Sequence, residues 1–165
     1  MTSPSPNGAA HNTAEMASRT PRTAAITGWR PYVTSALAVV GLADALYLLT
    51  VHWGWWSVAC FGVNECDVVN TSAYSELFGI PVALLGVVSY VTLLVTSLLV
   101  ARGGQAAEVL GYVRFFVAAA GVVFSVYLSY LELFVIHAVC PWCAFSAVLV
   151  TLIALISARE IFHSR

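Results

Sequence analysis

FFVAAAGVVFSVYLSYLELFVIHAVCPWC, residues 115–143, decides the fold. From Phe115 to Ile136 the only charged residue is Glu132, and the run has the roughly 20 apolar residues that cross a hydrocarbon layer as a helix. A tight turn is expected around His137, because the next apolar run starts almost at once. That run opens on Cys140-Pro141-Trp142-Cys143, which places a CxxC where the turn meets a helix start.

Working outward, the same pattern predicts four spans: Tyr32 to Val51, Ile80 to Val100, Phe115 to Ile136, and Cys140 to Ala158. The fold class is therefore an all-α integral membrane protein, a four-transmembrane-helix bundle. Composition agrees. Of the 165 residues 60% are hydrophobic and 9% charged, and mean hydropathy is +0.87. A soluble domain carries about 25% charged residues, so lipid is the expected solvent and nucleic acid is not an expected partner. Residues 1–30, rich in Pro, Ser, Thr and Gly, read as a disordered cytoplasmic tail without the apolar core of a signal peptide. Residues 31–159 are expected to form one membrane domain, including the loop 52–79, and 160–165 a second cytoplasmic tail. The chain reads as carrying no separate soluble domain.

Arginine placement sets the orientation. Arg19, Arg22 and Arg30 precede span one, Arg102 and Arg114 bracket the middle turn, and Arg159 and Arg165 follow span four. Basic residues gather on the cytoplasmic side, so both termini are expected there. The long loop, with Glu65, Asp67, Glu76 and the interfacial rings Trp53, Trp55 and Trp56, then faces the periplasm.

All four cysteines fall on that outer face, where disulfides persist. The helix start at Cys140–Cys143 favours a thiolate, and Pro141 suits a first-turn position because its missing N–H is not needed there. Cys60 and Cys66 form a second pair, with Gly62 and Asn64 between them allowing a compact closure. Two neighbouring dithiols permit a relay by thiol–disulfide exchange. The loop pair also reads as a simple staple, and four cysteines as a zinc site, although five intervening residues and a membrane face suit zinc poorly.

Two carboxylates lie inside spans, where they are costly unless paired, hydrated or protonated. Glu132 is the candidate to relay protons near the CxxC; Asp44 is the second. An interhelical hydrogen bond is the competing role for both. His52 and His137 suit hydrogen-bonding caps near the interface. Gly41, Tyr47, Leu48 and Cys60 recur 80 positions later as Gly121, Tyr127, Leu128 and Cys140, which suggests similar close packing of spans one and three.

GLADALYLLTVH, CFGVNECDVVNTSAYSELFGIPVALLG and SVYLSYLELFVIHAVCPWC together resemble the bacterial branch of the vitamin K epoxide reductase family, over about residues 32 to 158. The resemblance implies a four-helix bundle with a periplasmic capping loop around a quinone, menaquinone or ubiquinone, drawn from the membrane pool. It implies that Cys60 receives electrons from a thioredoxin-like partner, that Cys66 passes them to Cys140, and that Cys143 faces the quinone. Ser72 corresponds to the family's polar residue after the loop pair and is expected near the pocket. Many bacterial relatives carry a fused thioredoxin-like domain; the chain ends at Arg165, so the disulfide carrier is expected to be a separate periplasmic protein. No counterpart of the animal enzymes' quinone-contacting asparagine is evident, which favours quinone-driven disulfide formation over epoxide reduction. The competing readings are a membrane scaffold with a disulfide-stapled loop and a small transporter resting on Asp44 and Glu132.

Overall fold

Large apolar side chains line much of the outside of this protein, and several of its polar and charged side chains lie within. Val88, Val95, Val123, Val126, Val148 and Leu155 are exposed, whereas Thr34, Asp44, Ser97, Arg114, Glu132 and Ser157 are buried. That inversion is stable only where the surroundings are themselves apolar.

The computed structural model describes residues 29–55, 75–77 and 79–163. Helix α1 spans Arg30–His52, α2 Val82–Arg102, α3 Ala107–Leu131 and α4 Pro141–His163. All four are long and apolar enough to cross a membrane, which makes the chain an all-α bundle of four membrane-length helices. Strands β1, Glu76–Leu77, and β2, Ile80–Pro81, form a short antiparallel pair in register Glu76 to Pro81 and Leu77 to Ile80. Gly79 turns this hairpin at φ 80°, a conformation open to glycine at no steric cost. The Val82 N–H donates to the Ser75 carbonyl at 2.9 Å, so the hairpin runs straight into α2.

The helices run up and down around a ring in which each packs on its chain neighbours and α4 closes against α1. Glycine sets two of these approaches. A Cβ on Gly41 would lie 2.1 Å from the Tyr90 ring, and one on Gly121 would lie 2.8 Å from Val150. The glycines of the sequence repeat thus do equivalent work, α1 against α2 and α3 against α4. Ala38, Ala45, Leu93, Ala118 and Ile153 fill the core between them.

The middle turn is shorter than the sequence suggests. Helix α3 begins at Ala107, not Phe115, and Arg114 sits within it, almost wholly buried. Its guanidinium pairs with Glu160 of α4 and reaches Thr34 of α1 at 3.5 Å. A buried arginine is tolerable when such partners neutralise it, so the charge that marks a helix end by composition is an interior tie instead. Helix α4 likewise continues past Ala158 to His163, carrying Glu160 into reach. Among the described residues Arg30, Arg102, Arg114 and Arg159 all lie toward one end of the bundle, opposite Cys140 and Cys143.

Candidate functional site

Helix α3 does not finish as an α-helix. Glu132–Ile136 forms a π turn, and His137 then adopts a left-handed conformation at φ 55°. The Glu132 carbonyl accepts both the His137 N–H and the Ala138 N–H, the latter at 3.1 Å. These bonds satisfy carbonyl capacity that a helix end otherwise leaves open. A non-glycine residue at positive φ costs on the order of 1–3 kcal/mol, and such strain gathers at working sites. The expected tight turn is therefore present, with His137 at its pivot.

The turn delivers Cys140 to the start of α4. Pro141 takes the first helical position, where no N–H is required, and the Ala144 N–H donates to the Cys140 carbonyl at 3.0 Å. The Cys143 N–H donates to Cys140 Sγ at 3.3 Å, so the sulfur occupies the place of a capping oxygen. Glu132 completes the arrangement. Its Oε2 accepts the Cys140 N–H at 3.2 Å, and its carboxylate meets the Cys143 thiol. Both thiols are free, Cys140 buried and Cys143 half-buried. Trp142 turns away from the sulfurs and packs on Tyr47 of α1, ring centroids 5.0 Å apart.

Cys140, Cys143 and Glu132 line one end of a cavity of about 560 Å³ inside the bundle. Apolar side chains such as Leu48, Leu85, Val117, Phe124 and Leu128 make most of its wall. Further along, Asp44, Tyr90 and Ser146 interrupt that wall. The Tyr90 hydroxyl donates to the Ser146 carbonyl at 2.9 Å and lies 2.9 Å from Ser146 Oγ. Neither carboxylate oxygen of Asp44 has a hydrogen-bond partner at ordinary distance, although the Ser146 hydroxyl is close enough to act on it.

Beside this geometry stands the comparison that decides the family. The family model for the vitamin K epoxide reductase family matches residues 32–158. The chain belongs to the vitamin K epoxide reductase family. No curated protein matches it. Members of the vitamin K epoxide reductase family carry out quinone-linked thiol and disulfide redox chemistry, and they generally use a quinone. The cavity suits such a group. Its volume falls in the range of ordinary small-molecule pockets, its walls match an apolar ring and tail, and the orphaned Asp44 oxygens call for a polar partner.

Of the residues singled out from the sequence, the structure brings Cys140, Cys143 and Glu132 together at one wall. Cys60, Cys66 and Ser72 lie outside the described residues. Asp44 lines the same cavity as Glu132, on a different helix. Tyr90 and Ser146 went unnoticed in the sequence. A tyrosine and a serine within apolar spans are weak signals, and 56 positions separate them. His52, at the end of α1, reaches Glu76 of the hairpin at 3.4 Å and ties the outer strand pair to the bundle.

Proposed function

We propose that this protein is a quinone-dependent thiol oxidoreductase that reoxidises a separate periplasmic thioredoxin-like protein and so supports disulfide-bond formation. The observation that carries the reading is the CxxC at the start of α4, its thiols against the wall of an apolar cavity and a buried carboxylate hydrogen-bonded to both cysteines.

The reduced partner attacks a Cys60–Cys66 disulfide at Cys60, and a second partner thiol resolves the mixed disulfide, leaving both loop cysteines reduced. Cys66 then attacks Cys140 of a Cys140–Cys143 disulfide, and Cys143 leaves as thiolate. Cys60 closes on Cys66 and releases Cys140, so the electron pair now resides in the CPWC dithiol. A quinone in the cavity accepts two electrons and two protons when bound. On the protein side, Cys143 and Cys140 rejoin as a disulfide and release two protons, and Glu132, already bonded to the Cys143 thiol, is placed to take one. The Cys140 N–H holds the Glu132 carboxylate at that spot throughout. Ser72 helps to position the capping loop. The arginine-rich end of the bundle faces the cytoplasm and the cysteine end the periplasm.

Purified protein supplied with a reduced thioredoxin-like protein and menaquinone or ubiquinone tests this. Thiol loss and quinol gain in equal amounts are expected. Folded protein with intact cysteines that couples neither reaction to the other sinks the proposal.

A further inference from the structure

One turn into α4 from Cys143 stands a polar cluster that the thiol chemistry does not use. Ser146 is three positions beyond Cys143, roughly 4.5 Å along the helix axis, and it gathers Tyr90 from α2 and Asp44 from α1. All three line the cavity that the cysteines line. Asp44 is buried, with only 5% of its surface accessible, and neither oxygen is matched by a donor at ordinary distance.

The donors nearby are already committed. The Tyr90 hydrogen goes to the Ser146 carbonyl, which leaves one hydroxyl hydrogen, that of Ser146, to be shared between Tyr90 and Asp44. At least one Asp44 oxygen therefore has no donor among the described residues. No cation offsets it among the described residues, since Arg30 begins the same helix roughly 21 Å away along its axis and the other arginines lie toward that end. A lone carboxylate charge in an apolar interior is too costly to persist, whereas a neutral carboxylic acid needs an acceptor for its O–H. The acceptor has to come from whatever fills the cavity.

We propose that Asp44 is the second polar pole of the quinone site: as a neutral carboxylic acid beside Ser146, it donates a hydrogen bond to the ring oxygen remote from Cys143. The spacing suits this. Ser146, which reaches Asp44, stands about one helical turn beyond Cys143, on the order of the span between the para oxygens of a quinone ring. The assignment depends on the quinone reading above, and the test separates the two.

The probe is menadione, a quinone headgroup without a tail, titrated into the full-length protein in detergent. Wild type is expected to show a carboxylic-acid C=O infrared band that is absent in Asp44→Asn and moves to lower frequency when menadione binds. Asp44→Asn keeps a donor and is expected to bind within a few-fold of wild type, while Asp44→Leu binds about tenfold more weakly, the loss of one hydrogen bond. An Asp44→Leu protein that binds as tightly as wild type, or an Asp44 band that menadione does not move, overturns the proposal. If the leucine variant fails to fold, the infrared shift decides alone. Wild type that binds menadione through Asp44 yet does not couple thiol oxidation to quinol formation leaves this subsite standing and sinks the enzymatic reading instead.

Discussion

The carboxylate of Glu132 and the backbone amide of Cys140 are joined at 3.2 Å across the turn between α3 and α4. One side chain thereby does two things: it caps the start of the helix that bears the CxxC, and it sits against the Cys143 thiol. Two substitutions separate these roles. Glu132→Gln keeps an oxygen for the amide but cannot carry a proton, so its thermal stability is expected to stay near wild type while turnover falls about a hundredfold, a usual contribution of general acid–base catalysis. Glu132→Ala also strands the amide and is expected to lose a further 1–2 kcal/mol or so of stability. Equal turnover in wild type and Glu132→Gln removes Glu132 from proton handling.

Breaking the interior tie between Arg114 and Glu160 leaves a buried charge without its partner. Arg114→Met is expected to lose about 3–5 kcal/mol, and Glu160→Leu placed on top of it to recover most of that loss, because removing both charges removes the penalty. Unfolding in mixed micelles, arranged as a double-mutant cycle, gives the coupling. Additive losses show that the two residues act independently.

Electron order is read most directly by trapping. Cys66→Ser leaves Cys60 without its disulfide mate, so offered an oxidised partner its thiolate is expected to open the partner's disulfide and stay joined to it, with no Cys66 to displace the partner, whereas Cys143→Ala allows exchange at the loop but halts quinol formation. Non-reducing electrophoresis with peptide mass spectrometry identifies the bond. Partner found on Cys143 in the Cys66→Ser protein, with normal turnover, reverses the order.

The four helices were legible because each run is long, apolar and bounded by turn residues, and the CxxC was legible because Pro141 marks a helix start. Arg114 was misplaced for an equally physical reason. Composition reads a lone arginine beside an apolar run as a boundary, and only the fold brings in Glu160, 46 positions away, to neutralise it. Glu132 and Asp44 stood out as charges inside spans. What each touches depends on how α1, α2 and α4 meet, so Tyr90 and Ser146 could not be attached to Asp44 from sequence. The places of Cys60, Cys66 and Ser72 are expectations still.

The π turn at Glu132–Ile136 also acts as a ruler. An α-helix advances about 100° of azimuth per residue, so deleting one residue of Glu132–Ile136 to restore α geometry turns the point at which the chain leaves α3 about a quarter of a revolution, and the turn to Cys140 then starts from the wrong side of the helix. Substitutions within Leu133–Val139 leave that phase alone, but length changes do not. The interval from Glu132 to Cys140 is thus fixed by count more strictly than by composition.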